Sequence, residues 1–295
     1  MGSSMTKLVF GCGYLGERVA KRWRDDAQDV AVVTRNAERV REFTERGYAV
    51  TNADITRPDT LQDLPVAETV LFAVGFDRSD GQSIEQVYAG GMRNVLAALS
   101  TGVRRVIYIS TTGVYGPGDG EWVDEQTPPD PRREGGRASL AAEEVLAAHP
   151  LGKNAVVLRL AGIYGPGRIP FIDKLRSDEP IVAPSSGHLN LIHVDDAATA
   201  VVAAERINTF ENGPRVYCVS DGRPVERGEF YREVARQIGV QPPTFIPPDA
   251  GSPRAIRAQS DRRVRNTRML NELGVKLKYD NYRAGLAAIL ETQNQ

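Results

Sequence analysis

Leu8-Val9-Phe10-Gly11-Cys12-Gly13-Tyr14-Leu15-Gly16 places three apolar residues directly before a G-x-G-x-x-G motif, and Leu15, Val19 and Trp23 then recur at helical spacing. The stretch reads as a strand, a tight turn and an amphipathic helix. In that context each glycine has a separate use. Gly11 permits the turn, Gly13 lets a diphosphate approach the backbone, and Gly16 lets the helix pack close to the strand. The amides of Tyr14 and Leu15, at the positive end of the helix dipole, complete an anion-binding turn. The predicted ligand is the pyrophosphate of a dinucleotide; a glycine turn without a ligand is the alternative.

Beyond this stretch, short β-branched runs at 30–33, 48–50, 69–74, 105–109 and 155–158 alternate with segments whose apolar residues recur every three or four positions, such as Ile84, Val87, Tyr88, Gly91 and Val95. The runs are continuously apolar, as parallel strands covered by helices on both faces require. The predicted class is α/β, a Rossmann-type doubly wound parallel sheet with a smaller mixed α/β substrate domain. Pro166, Pro170, Pro180 and Pro184 interrupt any long element after residue 165. We therefore place a dinucleotide-binding domain at 6–165, with 188–220 returning to it, and a mainly substrate-binding domain at 166–295.

About 20 residues past the glycines, where a ribose-reading carboxylate is expected, the chain has Thr34-Arg35-Asn36. A carboxylate would accept from the 2'-hydroxyl of NAD, whereas the guanidinium fork of Arg35 matches the oxygens of a 2'-phosphate. NADP is expected rather than NAD. Arg39, one turn on, offers a second charge or a solvated helix start.

Composition narrows the function classes. The 295 residues carry 37 Lys+Arg and 38 Asp+Glu, a formal net charge of -1, so no general basic field draws the chain to nucleic acid or to a membrane surface. Apolar runs fall short of the ~18 residues that span a bilayer. Cys12 and Cys218 are far apart and sit in apolar surroundings read as strands, which suggests neither a disulfide framework nor a thiolate metal site and fits a cytoplasmic protein. His149, His188 and His193 lack metal-ligand spacing, so no metal is expected. Met1-Gly2-Ser3-Ser4-Met5-Thr6 loosely fits a myristoylation pattern and equally a cloning remnant. Asp195-Asp196 reads as an N-terminal cap that opens a helix with a favourable charge-dipole arrangement, and Arg254, Arg257, Arg262, Arg263, Arg265 and Arg268 read as a basic face or a contact for a phosphorylated substrate.

Several blocks taken together resemble the extended short-chain dehydrogenase/reductase family, the NAD-dependent epimerase/dehydratase group. Besides the glycine loop they are Ala53-Asp54-Ile55, Tyr108-Ile109-Ser110-Thr111-Thr112-Gly113-Val114-Tyr115-Gly116, Leu158-Arg159-Leu160-Ala161-Gly162-Ile163-Tyr164-Gly165-Pro166-Gly167 and His193-Val194-Asp195-Asp196. The resemblance runs from Lys7 towards the end and weakens after Gly222. It implies that Asp54 lies beside the adenine and that Phe72, Ala73 and Val74 flank the cofactor. It also implies that Thr111 is the hydroxyl assisting proton transfer, and that the helices at 83–99 and 138–146 form a homodimer interface. Phe10 stands where most members carry a first glycine, which marks an atypical branch.

One part of the family pattern is missing. The family's Tyr-x-x-x-Lys pair serves as acid or base, the lysine lowering the tyrosine's pKa. Alignment on Pro128-Pro129-Asp130-Pro131 puts Gly135 and Ser139 in those positions, and no other Tyr-x-x-x-Lys occurs. Tyr115 and Tyr164, following strands at their carboxyl ends, are candidate replacement hydroxyls; both also match tyrosines that pack loops in the family. Two functions follow as expectations. One is an NADP-binding oxidoreductase or epimerase/dehydratase acting at a hydroxyl or carbonyl carbon of a small or sugar-nucleotide substrate, with Thr111 and Tyr115 or Tyr164 as catalytic groups. The other is a dinucleotide-binding sensor or scaffold that has lost catalysis.

Overall fold

The computed structural model describes residues 6–208, 213–252, 255 and 260–293. Met1 to Met5, Arg254 and Arg257 lie outside the described residues, and with them the reading of the amino terminus and part of the basic stretch.

Strands β1 (Lys7–Phe10), β2 (Val30–Thr34), β3 (Ala49–Asn52), β4 (Thr69–Phe72) and β5 (Arg105–Thr111) alternate with helices α1 (Gly16–Asp25), α2 (Ala37–Glu45) and α3 (Gly91–Ala98). After β5 come β6 (Gly118–Val123), α4 (Glu134–Ala148), β7 (Ala155–Leu160), β8 (Gly162–Tyr164), α5 (Ile172–Arg176), β9 (Ile181–Val182), β10 (His188–Leu189), β11 (Leu191–His193), α6 (Val194–Glu205) and β12 (Arg215–Val219). The remainder holds β13 (Val225–Glu226), α7 (Arg227–Ile238), β14 (Phe245–Ile246), β15 (Ser260–Val264), α8 (Thr267–Leu273) and α9 (Tyr282–Gln293).

The main sheet has seven strands in the order β12-β7-β5-β4-β1-β2-β3. From β3 to β5 every pairing is parallel, with Phe10 beside both Val33 and Phe72, so the doubly wound α/β class read from the sequence holds. The chain starts at the middle of the sheet, winds outward to β3, then crosses back through β4. This reversal beside β1 leaves the carboxyl ends of β1 and β4 as neighbours, the place where such sheets bind ligands.

Continuous apolar runs translate into full burial in β1, β4 and β7. Strand β3 departs from the expectation: Ala49 and Asn52 are exposed because β3 is the sheet's edge. The helix expected from Ile84 onward also differs, since Gln86–Gly90 forms a π-helical turn before α3 begins. At Gly91, where α3 begins, a side chain would lie 2.5 Å from Cδ1 of Ile55, so glycine lets the helix pass close to that residue.

The chain divides into two compact units. One runs to Thr111 and adds Glu134–Arg159 and Ala198–Tyr217; the other comprises Thr112–Arg133, Leu160–Ala197 and Cys218–Gln295. The chain thus leaves the first unit at Thr111, ahead of the boundary at 165 read from the sequence. The first unit's core includes Leu8, Phe10, Leu61, Val70, Phe72, Met92, Tyr108 and Leu146. The second has its own core around Tyr164, Ile181, Leu191, Phe230, Val234 and Leu286, with short strand pairs β8–β11, β9–β14, β10–β13 and β6–β15.

Candidate functional site

At the end of β1 the Phe10 carbonyl accepts the amide of Ala73 at 2.8 Å, drawing the segment after β4 against the glycine loop. Gly11 follows with φ of 85°, and a Cβ there would overlap the Ala73 carbonyl and lie 2.5 Å from the Val74 nitrogen. Only glycine allows this close passage. A Cβ at Gly16 would overlap the Gly11 carbonyl oxygen, so the third glycine lets α1 close onto the loop. Gly13 differs: nothing lies within 4 Å of the direction its side chain would take. Two glycines are required by protein neighbours, and the middle one opens on space that an approaching diphosphate would use.

The start of α1 supports this. Leu15 stands at its N-cap with no side-chain hydrogen bond to the first-turn amides, whereas α2 opens on Asn36, whose Oδ1 accepts from Glu38 and Arg39 at 2.8 and 3.1 Å. Within that turn the Glu17 amide donates to the Gly13 carbonyl at 2.9 Å, and a helix start without a side-chain cap is a place where anions bind. Glu17 in that turn faces elsewhere. Burial raises its pKa, but hydrogen bonds from Arg46 and Arg39 outweigh this and hold it below the ordinary carboxylate range. Cys12, expected in a strand, lies in the loop itself; burial first and Glu17 second push its thiol up to about 12, so it is no thiolate.

Thr34 ends β2, and its carbonyl accepts the amide of Ala53 at 3.2 Å and Asn52 Nδ2 at 3.3 Å. These bonds bring Arg35 to Asp54, with guanidinium and carboxylate 3.9 Å apart and the Arg35 side chain 43% exposed. Asp54 Oδ1 is anchored by the amide and hydroxyl of Thr56 at 2.9 and 2.7 Å. Gly11, Gly13, Gly16, Ala73 and Val74 therefore converge at β1 and β4, and Thr34, Arg35 and Asp54 at β2 and β3.

Thr111 ends β5 and is half-buried. The two tyrosines are placed differently from a surface acid. Tyr115 is 2% exposed, with its hydroxyl 3.1 Å from Cys218 Sγ. Tyr164 is fully buried, edge-on to His193 at 5.3 Å, and burial raises its pKa. A side chain at Gly285 would overlap the Tyr164 hydroxyl, so α9 is notched to admit that ring.

On α4, Gly135 is half-buried and Ser139 buried, and one turn further Glu143 forms a group that the sequence reading missed. Glu143 accepts from Ser110 Oγ at 2.5 Å and from Arg159 Nε and Nη2 at 3.1 and 2.6 Å, all three residues being buried. A signal existed: Arg159 interrupts an otherwise apolar buried strand, and a charge there needs an opposite partner.

The remaining polar candidates have structural partners. Asp196 accepts the amides of Lys278 and Tyr279 at 2.8 and 2.9 Å, so it ties α6 to a distant loop rather than capping its own helix. Arg262 is buried and donates to the Gly116 carbonyl at 2.9 Å, Arg263 and Arg265 lie over the Trp122 ring at 5.3 and 4.9 Å, and Arg268 is 3.7 Å from Glu125. Among the described residues no His, Cys, Asp and Glu side chains gather into a metal-holding group, and no helix is long and apolar enough to cross a membrane.

Comparison with known proteins agrees with this geometry. Residues 8–219 match the NAD dependent epimerase/dehydratase family. The chain is 30% identical to Protein YeeZ of Escherichia coli strain K12 over 225 residues, 75% of each chain. A solved structure described as a putative NAD-dependent epimerase/dehydratase from Methylobacillus flagellatus is similar at 30% identity and TM-score 0.76, over 99% of this chain and 100% of that one. The Bordetella bronchiseptica enzyme WbmG, solved with NAD and UDP, shares the fold at 21% identity and TM-score 0.81, over 99% of this chain and 96% of that one. With a glycine loop, a sheet order and a match over most of its length in agreement, the chain belongs to the NAD dependent epimerase/dehydratase family, within the extended short-chain dehydrogenases/reductases.

Proposed function

We propose that this protein is an NADP-dependent oxidoreductase or epimerase/dehydratase-like enzyme acting at a hydroxyl or carbonyl carbon of a small or sugar-nucleotide substrate. The observation that carries the reading is the glycine loop, where protein neighbours demand Gly11 and Gly16 while Gly13 faces open space before an uncapped helix. Amides of Tyr14 and Leu15 would hold the diphosphate, Ala73 and Val74 would flank the dinucleotide, Asp54 would meet the adenine, and Arg35 would meet a 2'-phosphate. When bound, the nicotinamide supplies hydride transfer. Thr111, at the carboxyl end of β5, is the hydroxyl we assign to orienting the substrate oxygen. Tyr115 and Tyr164 we assign to packing, since both phenols are buried.

A sugar-nucleotide substrate is suggested by WbmG, which was solved with UDP, and rests on fold-level analogy. The sensor or scaffold reading draws on Gly135 and Ser139, the residues that alignment on Pro128–Pro131 would put in place of the family's tyrosine and lysine.

Absorbance of NADPH followed over a panel of carbonyl compounds and UDP-sugars tests the choice. Turnover that is lost in Thr111→Val at unchanged melting temperature supports the enzyme. Tight NADPH binding with no turnover, and a partner protein captured in only one redox state of the coenzyme, supports the sensor. Binding of neither NADPH nor NADH overturns both.

A further inference from the structure

Both terminal nitrogens of Arg39, whose side chain is 33% exposed, are engaged by its own chain. Its Nη2 donates to the Cys12 carbonyl at 2.7 Å and to Glu17 at 3.3 Å, its Nη1 donates to Glu42 at 2.6 Å, and its guanidinium carbon lies 4.5 Å from the centre of the buried Phe43 ring. Arg46 closes the circuit, reaching Glu17 at 2.6 Å and Glu42 at 3.1 Å. Two guanidiniums and two carboxylates cancel. A phosphate arriving at Arg39 would have to displace a carboxylate already held by charge-assisted hydrogen bonds, so Arg39 is poorly suited to reading a 2'-phosphate. Arg35, 3.9 Å from Asp54, is the guanidinium that the reading above assigns to that phosphate.

The Cys12 carbonyl and the Gly13 amide belong to one peptide plane. The Gly13 amide donates to Gly11 at 2.8 Å, and the Cys12 carbonyl accepts from Arg39. Glycines on both sides of Cys12 give this peptide little intrinsic preference for one orientation. The guanidinium supplies that preference from outside the loop. It is in turn held by Glu17, in the first turn of α1, so loop and helix start are fixed to the same side chain.

We propose that Arg39 is a positioning residue for the phosphate-binding loop, serving both phosphorylation states of the coenzyme equally and leaving the choice between them to Arg35. This rests on the dinucleotide reading above.

Fluorescence titration of the full-length protein with NADPH and with NADH, well below the melting temperature, tests it. Arg39→Ala is expected to weaken both coenzymes together, by about tenfold, a loss comparable to one charge-assisted hydrogen bond. Their ratio stays as in wild type. Arg39→Lys, which keeps the charge but reaches fewer acceptors, should recover part of the loss for both. If Arg39→Ala does not fold, Arg39→Gln carries the same comparison. A selective loss of NADPH would make Arg39 a phosphate reader and overturn the proposal. Unchanged affinity for both coenzymes in a folded variant would also overturn it. Wild-type protein that binds neither coenzyme overturns the underlying dinucleotide reading instead.

Discussion

At Gly11 and Gly13 the same residue type meets opposite surroundings, and opposite mutant behaviour follows. Gly11→Ala puts a methyl group into the Ala73–Val74 backbone at a φ of 85°, and is expected to cost on the order of 2–4 kcal/mol of stability. Gly13→Ala meets no protein atom within 4 Å, so its unfolding free energy should stay within about 0.5 kcal/mol of wild type while coenzyme affinity falls sharply. Urea unfolding alongside coenzyme titration separates the two. Arg35→Ala is expected to raise the dissociation constant of NADPH by roughly 10- to 100-fold, the worth of a charged hydrogen bond, with NADH nearly unaffected. Equal affinity of wild type for the two coenzymes would remove the NADP preference.

At the scale of elements, a buried ion pair and the hydroxyls of Ser110 and Tyr108 link helix α4 to strands β5 and β7. Glu143 and Arg159 are 2.6 Å apart with side chains 8% and 6% exposed. Desolvating both charges costs free energy that their attraction only partly returns, so the pair's main effect is to penalise any arrangement that separates it. Glu143→Leu alone should destabilise by about 3–5 kcal/mol, because it strands a buried guanidinium. Adding Arg159→Met should restore most of that, and denaturant midpoints of the single and double variants would show whether it does. The two helix starts make a similar contrast: Asn36→Ala is expected to cost about 1 kcal/mol at α2, where a side-chain cap exists.

For the whole molecule, pH dependence of stability should carry the signature of Asp221. Burial, together with Asp280 and Asp196 and against the opposing influence of Arg223, raises its pKa from 3.8 to about 7, and its Oδ2 has no hydrogen-bond partner among the described residues. Between those values the folded chain binds a proton that the unfolded chain has released, so stability falls as pH rises. The contribution is fully present below about 3.9, is lost through about 7 and is level above it. Asp221→Asn should therefore flatten the melting temperature between pH 5 and 7 and raise it at pH 8, by an amount equivalent to a few kcal/mol at most. A mutant curve parallel to wild type across that range would contradict the assignment.

Much of this architecture is written in local pattern. Continuous apolar runs specify buried parallel strands, helical spacing specifies the covering helices, and glycines between a strand and a helix specify a phosphate-binding turn, because each depends on residues within a short window. The position of Arg35 directly after β2 follows from the same window, whereas Asp54 was named through the family resemblance. What the window could not supply was the partner of each charge or hydroxyl. Arg39 reads as a second phosphate contact until Cys12, Glu17 and Glu42 are seen around it, and Tyr115 and Tyr164 read as accessible hydroxyls until Cys218 and Gly285 enclose them. Glu143 and Arg159, Asp196 and Tyr279, and the burial of Asp221 belong to the same class. Periodicity is a property of neighbours along the chain, whereas burial and charge pairing are set by residues that only folding brings together.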